Sequence, residues 1–211
     1  MSYMMYSYST PPNANSVIGI EYPSFSGDGS DQLNQMIMQK VQGWAALDPD
    51  YPVGSAWTVD YKSAVTFLNS KFVSVIFWGE SYIEHGAHPT EDLWELNVDL
   101  ATMQEVALSD MYSLDSDFQS AVFNTGRYPD DPVACTVCDM SDYTDVLNQI
   151  KSDDSMNPFS WDPIEVTYYM VSGGIVFSMS VPHALGDHLE VQLDSSQVQQ
   201  FYKPTQDYWQ G

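Results

Sequence analysis

The stretch that most constrains this chain is Lys71–Ile83, KFVSVIFWGESYI. Read with the two-residue period of a strand, Phe72, Ile76 and Trp78 share one face, and Val73, Val75 and Phe77 share the other. A strand apolar on both sides needs cover on both sides, which places it at the centre of a sheet between two layers. The residues before it fit a neighbour in that sheet. Over Ala56–Leu68, Trp57, Val59, Tyr61, Val65 and Phe67 fall on one side, against Thr58, Asp60, Lys62 and Thr66 on the other. The short Asn69-Ser70 link then reads as a β-hairpin. A neighbour on the C-terminal side fits as well: Leu93–Leu100 alternates, with Trp94, Leu96, Val98 and Leu100 inward.

Before these strands, Ser16–Tyr22 reads as a strand and Gly27–Ser30 as a turn. Asp31–Ala46 then carries Leu33, Met36, Ile37, Val41, Trp44 and Ala45 at helical spacing, with Ser30 or Asp31 as its cap. Helical spacing returns at Asp117–Phe123 and at Ser141–Ile150. In the second of these Tyr143, Val146, Leu147 and Ile150 form the stripe and Ser141 is the natural cap. The last third is a meander: Ile164–Val171 and Ile175–Val181 flank Ser172-Gly173-Gly174, and His188–Leu193 comes after the Pro182–Asp187 loop. Residues 1–15 read as a flexible leader, with an edge strand as the alternative. The order β-α-β-β-β, then helices, then a β-meander predicts an α+β fold with a largely antiparallel sheet.

A 44% hydrophobic share over 211 residues is enough to bury a core in one domain, or in two small modules that share one. The charge is one-sided: six basic residues against 29 acidic ones, a net −23. Such a polyanion repels nucleic-acid backbones and anionic membrane surfaces and favours cationic partners. No apolar run reaches the roughly 20 residues of a membrane-spanning helix. The first residues, MSYMMYSYSTPPNANS, lack the basic and apolar pattern of a secretory signal.

All four histidines sit in two loops: His85 and His88 in EHGAHP, His183 and His188 in PHALGDH. With Glu84 and Asp187 beside them they are the candidate binding residues, together with Tyr82. If the loops converge, they also offer a donor set for a divalent metal. The competing reading is that the histidines hydrogen-bond loop backbone and brace strand ends. No cofactor is expected. Cys135 and Cys138 form one CxxC in a polar loop, too few ligands for zinc; a short disulfide and free thiols both remain open. There is no nucleophile elbow, phosphate loop or dinucleotide fingerprint, and Arg127 is the single arginine. Asp99 and Asp110 read as turn or capping residues. Tyr3, Tyr6, Tyr8, Tyr202 and Trp209 read as strand or tail packing, with sugar or partner binding as the alternative.

The ordered motifs Ser74–Phe77, Tyr82–Pro89, Asn97–Leu100 and Leu108–Tyr112, with YYMVSGGIVFSMSVPHALGDHLEVQL after them, carry a resemblance. They resemble a bacterial extracellular domain family of unknown function, found in the anti-sigma factor RsiV and in the accessory region of the peptidoglycan deacetylase PdaC. The CxxC insertion is not part of that pattern. On this resemblance, residues 16–70 form the smaller N-terminal module and residues 71–211 the RsiV-like C-terminal module, the two making one unit. It further implies a non-catalytic binding or sensing module, secreted or displayed on the cell surface as in a lipoprotein. An export signal or anchor would lie outside these residues. Partners would be a cationic protein such as lysozyme, or cell-wall material. The alternatives are a metal-dependent hydrolase built on His85, His88, His183 and His188, and a structural spacer.

Overall fold

The computed structural model describes residues 1–9, 16–46, 55–129, 140–160, 164, 166–203 and 207–209. Its strands and helices, in chain order, are β1 (Ser2–Ser9), β2 (Ser16–Ser26), α1 (Ser30–Ala45), β3 (Trp57–Leu68), β4 (Phe72–Ile83), β5 (Thr90–Asp99), β6 (Gln104–Glu105), α2 (Leu108–Met111), α3 (Ser116–Thr125), α4 (Met140–Ser152), β7 (Val166–Val171), β8 (Gly174–Ser180), β9 (His188–Asp194) and α5 (Ser195–Val198). Among these, six strands form one sheet in the order β1-β2-β3-β4-β5-β6, and three form a second in the order β7-β8-β9. Neighbours run antiparallel except β2 and β3, which run parallel because α1 carries the chain back between them. The fold is α+β, as the element order predicts.

Strand β4 lies inside the large sheet, with Phe72–Phe77 buried without interruption. Its two faces separate as the alternation requires. Val73, Val75 and Phe77 meet Leu33, Ile37 and Val41 of α1, together with Leu96 and Val98 of β5. Phe72 joins the core built from the second sheet and helices α3 and α4, and Ile76 packs with Tyr169 and Val176. The α4 stripe of Tyr143, Val146, Leu147 and Ile150 is buried in that second core. Asn34 ties α1 to its sheet by accepting from the Phe25 N–H at 2.7 Å and donating to the Phe25 carbonyl at 2.9 Å.

The second sheet is held against the first by side chains that act on backbone. Ser74 Oγ donates to Asn97 Oδ1 at 2.6 Å and accepts from the Met170 N–H at 3.1 Å. Asn97 Nδ2 donates to the Tyr168 carbonyl at 2.7 Å. Both side chains are buried, and together they satisfy the Tyr168 carbonyl and the Met170 N–H on the edge of β7 that, among the described residues, no strand pairs. Gly79 permits another close approach: a Cβ there would meet the Asp60 carbonyl oxygen at 1.9 Å, and its φ is +150°.

Several expectations are corrected. Ser2–Ser9 is an edge strand paired along its length with β2, not a flexible leader. Helix α1 starts from Gly29, whose left-handed φ of 77° closes the turn and carries Ser30 and Asp31 into the helix, so neither caps it. The β3–β4 connection spans Asn69–Lys71 rather than two residues, because Asn69 Oδ1 accepts from the N–H groups of Lys71 and Phe72. A bulge between Val65 and Phe67 breaks the β3 alternation and turns Phe67 to the second core, away from Val65. Trp94 is 41% exposed instead of inward. The boundary expected at residue 70 falls inside the β3–β4 hairpin, so the two modules share one sheet. Cys135, Cys138 and the side chain of Ser141 lie outside the described residues.

Two substitutions test this architecture by urea denaturation. Val75→Asp places an unpaired carboxylate between α1 and the sheet and is expected to cost several kcal/mol, roughly 4. Asn97→Ala strands the Tyr168 carbonyl and the Ser74 hydroxyl and is expected to cost about 2–3 kcal/mol. A midpoint close to wild type for the first would remove β4 from the centre. The same result for the second would remove the polar link between sheets.

Candidate functional site

The two histidine loops converge. Between β4 and β5 the chain turns through His85, held at a left-handed φ of 72°, and is tied to the start of β3 by Glu84, whose N–H donates to the Ala56 carbonyl at 2.9 Å. Between β8 and β9 the chain closes tightly: the Gly186 N–H donates to the His183 carbonyl at 3.0 Å, and the Val181 N–H to the Asp187 carbonyl at 2.8 Å. Gly186 and Asp187 both take positive φ there. The outcome is a parallel stack of the His88 and His183 rings, centroids 3.5 Å apart and planes 5° from parallel.

Asp187 organises the junction. Its carboxylate accepts from His183 Nδ1 at 3.0 Å and from the Glu91 N–H of β5 at 3.0 Å. His188 completes the contact by donating from Nε2 to the Glu91 carbonyl at 2.9 Å. Asp187 and His188 therefore supply at Glu91 the donor and acceptor that a neighbouring strand would supply. Burial holds the His188 imidazole below its ordinary range, which suits this neutral, bridging role.

Of the residues singled out in the sequence, His88, His183, Asp187 and His188 come together. Glu84 Oε2 instead accepts from the Ala56 N–H at 3.4 Å, and the Tyr82 hydroxyl donates to Gly86 of its own loop at 3.5 Å. His85 is exposed at the loop tip. The ring atom of His88 nearest its own backbone, Nδ1, lies 3.0 Å from the Pro89 carbonyl. Among the described residues no three His, Cys, Asp or Glu side chains group so as to hold a metal ion. Asp99 and Asp110 serve turns: Asp99 Oδ1 accepts from the N–H groups of Ala101 and Thr102, and Asp110 from that of Ala107.

Beside the junction lies an open groove of about 770 Å³. One wall is the β5 segment Thr90–Glu95; the others come from Lys40 and Trp44 of α1, Val166 and Thr167 of β7, and Ser180–Val181 with Asp187 and His188. Trp44 and Trp94 stack at its rim, centroids 6.0 Å apart. Its charge is acidic: among the described residues, Glu91, Asp92, Glu95 and Asp187 face one cation, Lys40, which is paired at 3.0 Å with Glu105. Desolvation pushes the Glu95 carboxyl up to about 7, with Glu105 adding and its own backbone and Lys40 opposing. Burial, Glu80, Asp187 and Asp92 raise Glu91 in the same direction. Asp92 accepts from the Tyr61 hydroxyl at 2.7 Å.

Sequence reasoning passed over Glu95, Asp92, Trp44 and Lys40 as site residues. The missed signal is parity. Glu95, Asn97 and Asp99 alternate with the inward residues of β5 and read as a wet face, yet Asn97 and Asp99 are buried and Glu95 is half-buried. Three polar residues in step, next to a strand covered on both sides, point to a polar face under a second layer.

Glu95 gives a pH signature. Its ordinary value is 4.5 and its folded value is about 7, so the native state favours the neutral acid. The associated stability is present in full below pH 4.5 and is lost as pH rises through 7. Glu95→Gln should match wild type at acid pH and exceed it at pH 8 by about 1–2 kcal/mol, the shift being discounted for partial exposure. Paired urea titrations check this; equal stabilities at both pH values would place Glu95 in solvent.

No family model matches the sequence, and no curated protein matches it. Solved structures do match in fold. A member of the DUF3298 family from Bacteroides fragilis superposes with a TM-score of 0.62 at 16% identity, over 96% of this chain and 94% of that one. A DUF3298 family protein from Pseudomonas aeruginosa superposes with a TM-score of 0.53 at 13% identity, again over 96% and 94%. At these identities the likeness shows the fold, one shared with domains of unknown function.

Proposed function

We propose that this chain is a non-catalytic binding or sensing module, exported or displayed at a bacterial cell surface, and that it captures a cationic protein. The observation that carries this reading is the acidic groove: four acidic side chains line it, with Glu95 only partly ionised at neutral pH, and Lys40, its cation among the described residues, is already paired. The net charge of −23 extends the same field beyond the groove and would speed encounter with a basic partner. The resemblance of the sequence motifs to RsiV makes lysozyme the first partner to try.

The test is capture of lysozyme by the immobilised chain at roughly 0.15 M ionic strength, with cytochrome c as a basic control. Lysozyme is expected to bind in preference. Association should slow markedly as salt rises while dissociation changes less, because screening acts on the encounter. Equal binding of both proteins would reduce the interaction to bulk charge, and binding of neither would remove lysozyme as the partner. Retention of cell-wall fragments in place of either protein would move the ligand class to glycan; retention of nothing would favour a spacer.

A hydrolytic reading has one observation in its favour: Glu95 is a carboxyl near pKa 7 in a groove, as a general acid requires. Turnover of cell-wall glycan by the chain, abolished in Glu95→Gln, would replace the binding reading with this one.

A further inference from the structure

We propose that capture in the groove is proton-linked: a cationic group enters by displacing protons from Glu91 and Glu95, so the partner is held at neutral and alkaline pH and let go in mild acid. This rests on the reading of the groove as a site for a cationic protein and adds its regulation.

The register of the large sheet sets up the first of these groups. Glu91 lies directly opposite Glu80 in the β4–β5 ladder, and Glu80 lies opposite Asp60 in the β3–β4 ladder. Residues opposite one another share a face, with Cβ atoms about 5 Å apart. Beyond the edge, the Asp187 carboxylate is 3.0 Å from the Glu91 N–H. Asp60, Glu80, Glu91 and Asp187 thus form one acidic row that crosses three strands and ends in the β8–β9 loop. Lys62, a cation on the same face, stands opposite Trp78, outside that row. Neighbouring carboxyls with no cation between them relieve their repulsion when one keeps a proton and the other accepts it. Asp60 and Glu80 are exposed, whereas Glu91 is half-buried, so the proton settles on Glu91. Burial first, then Glu80, Asp187 and Asp92, raise its carboxyl above the ordinary value.

Glu95, the second group, lies on the same face of β5 opposite Ile76, so the ladder gives it an apolar neighbour. Lys40, which opposes its protonation, bonds to Glu105 instead, at 3.0 Å, and the nearby Tyr168 hydroxyl is turned to the Val106 carbonyl at 2.6 Å. At the other end of the groove His183 is turned to Asp187, and burial holds His188 toward its neutral form. A guest ammonium or guanidinium supplies the missing countercharge, and by stabilising the carboxylate it drives the proton off. Glu95 gains its charge as pH rises through about 7, so affinity for a cation rises over the same interval. An ordinary carboxylate is ionised throughout pH 6–8. Attraction by bulk charge therefore varies there through histidine, and the variants below keep all four histidines.

Lysozyme capture by the full chain is measured at about pH 6 and about pH 8 at constant ionic strength, with calorimetry in two buffers of different ionisation enthalpy to count protons. One carboxyl titrating near 7 makes binding about tenfold tighter at the higher pH, with net proton release. Glu95→Gln is expected to remove most of that dependence and to lower the proton count; the comparison with wild type cancels protons that lysozyme itself exchanges. A second readout needs no lysozyme: carboxyl-carbon NMR titration of the isotope-labelled full chain with and without acetyl-Arg-Arg-Arg-amide. The peptide is expected to lower the midpoints of Glu91 and Glu95 by more than that of Asp117 on α3, outside the groove. Glu80→Gln is expected to lower the Glu91 midpoint without peptide. Equal affinities at the two pH values, a dependence unchanged in Glu95→Gln, or midpoints moved no further than that of Asp117 would each overturn the proton link. If the chain does not distinguish lysozyme from cytochrome c, the functional reading falls, and the peptide titration alone decides the proton link.

Discussion

The fold depends on how the large sheet answers the unpaired edge of β7. A strand edge buried without partners leaves N–H and C=O groups that cost about 1–3 kcal/mol each. Here Ser74 and Asn97 meet the Met170 N–H and the Tyr168 carbonyl, and bond to each other. The second sheet can then rest on β4 and β5 without extending their ladder. Its apolar residues close the far face of β4, and that closure is what makes an apolar two-sided strand stable. Tyr168 adds to the lock from its other end, donating its hydroxyl to the Val106 carbonyl at 2.6 Å.

Much of this was legible because it is written in local periodicity. The two faces of β4, the α1 stripe, the α4 stripe and the meander around Gly173 each derive from spacing alone. What was not legible involves a residue out of step or a layer not adjacent in sequence. The bulge before Phe67 reverses parity, and nothing in the composition of β3 announces it. Trp94 keeps the inward parity of β5 but meets only the last turn of α1, where it stacks on Trp44 at the rim and stays 41% exposed. Asp110, which reads as a turn or capping residue, accepts from the Ala107 N–H at the start of the short α2.

The site divides in the same way. Clustered histidines marked the right pair of loops, and the loops do meet. At the junction Asp187 and His188 serve the backbone of Glu91, and the His88–His183 stack joins the loop tips. The acidic groove next to them was not legible, since its carboxylates are distributed through a chain with 29 acidic residues and none stands out by spacing. Only the packing of β7 over β5 separates Glu95 from the solvated majority.

The bare edge of β1 gives the net charge a second meaning. Eight residues without a charge, nearly all exposed, form the rim of the large sheet, and among the described residues no strand pairs with their outer edge. An edge of this kind is a template for joining sheets between molecules. Two copies, each with a net charge of −23, repel at long range, and that repulsion opposes joining at this edge. That barrier is set by the medium: it falls as salt thickens and as carboxylates take up protons, while the edge itself is unchanged. Joining of copies along β1 would thus depend on the acids spread through the chain as well as on the strand itself.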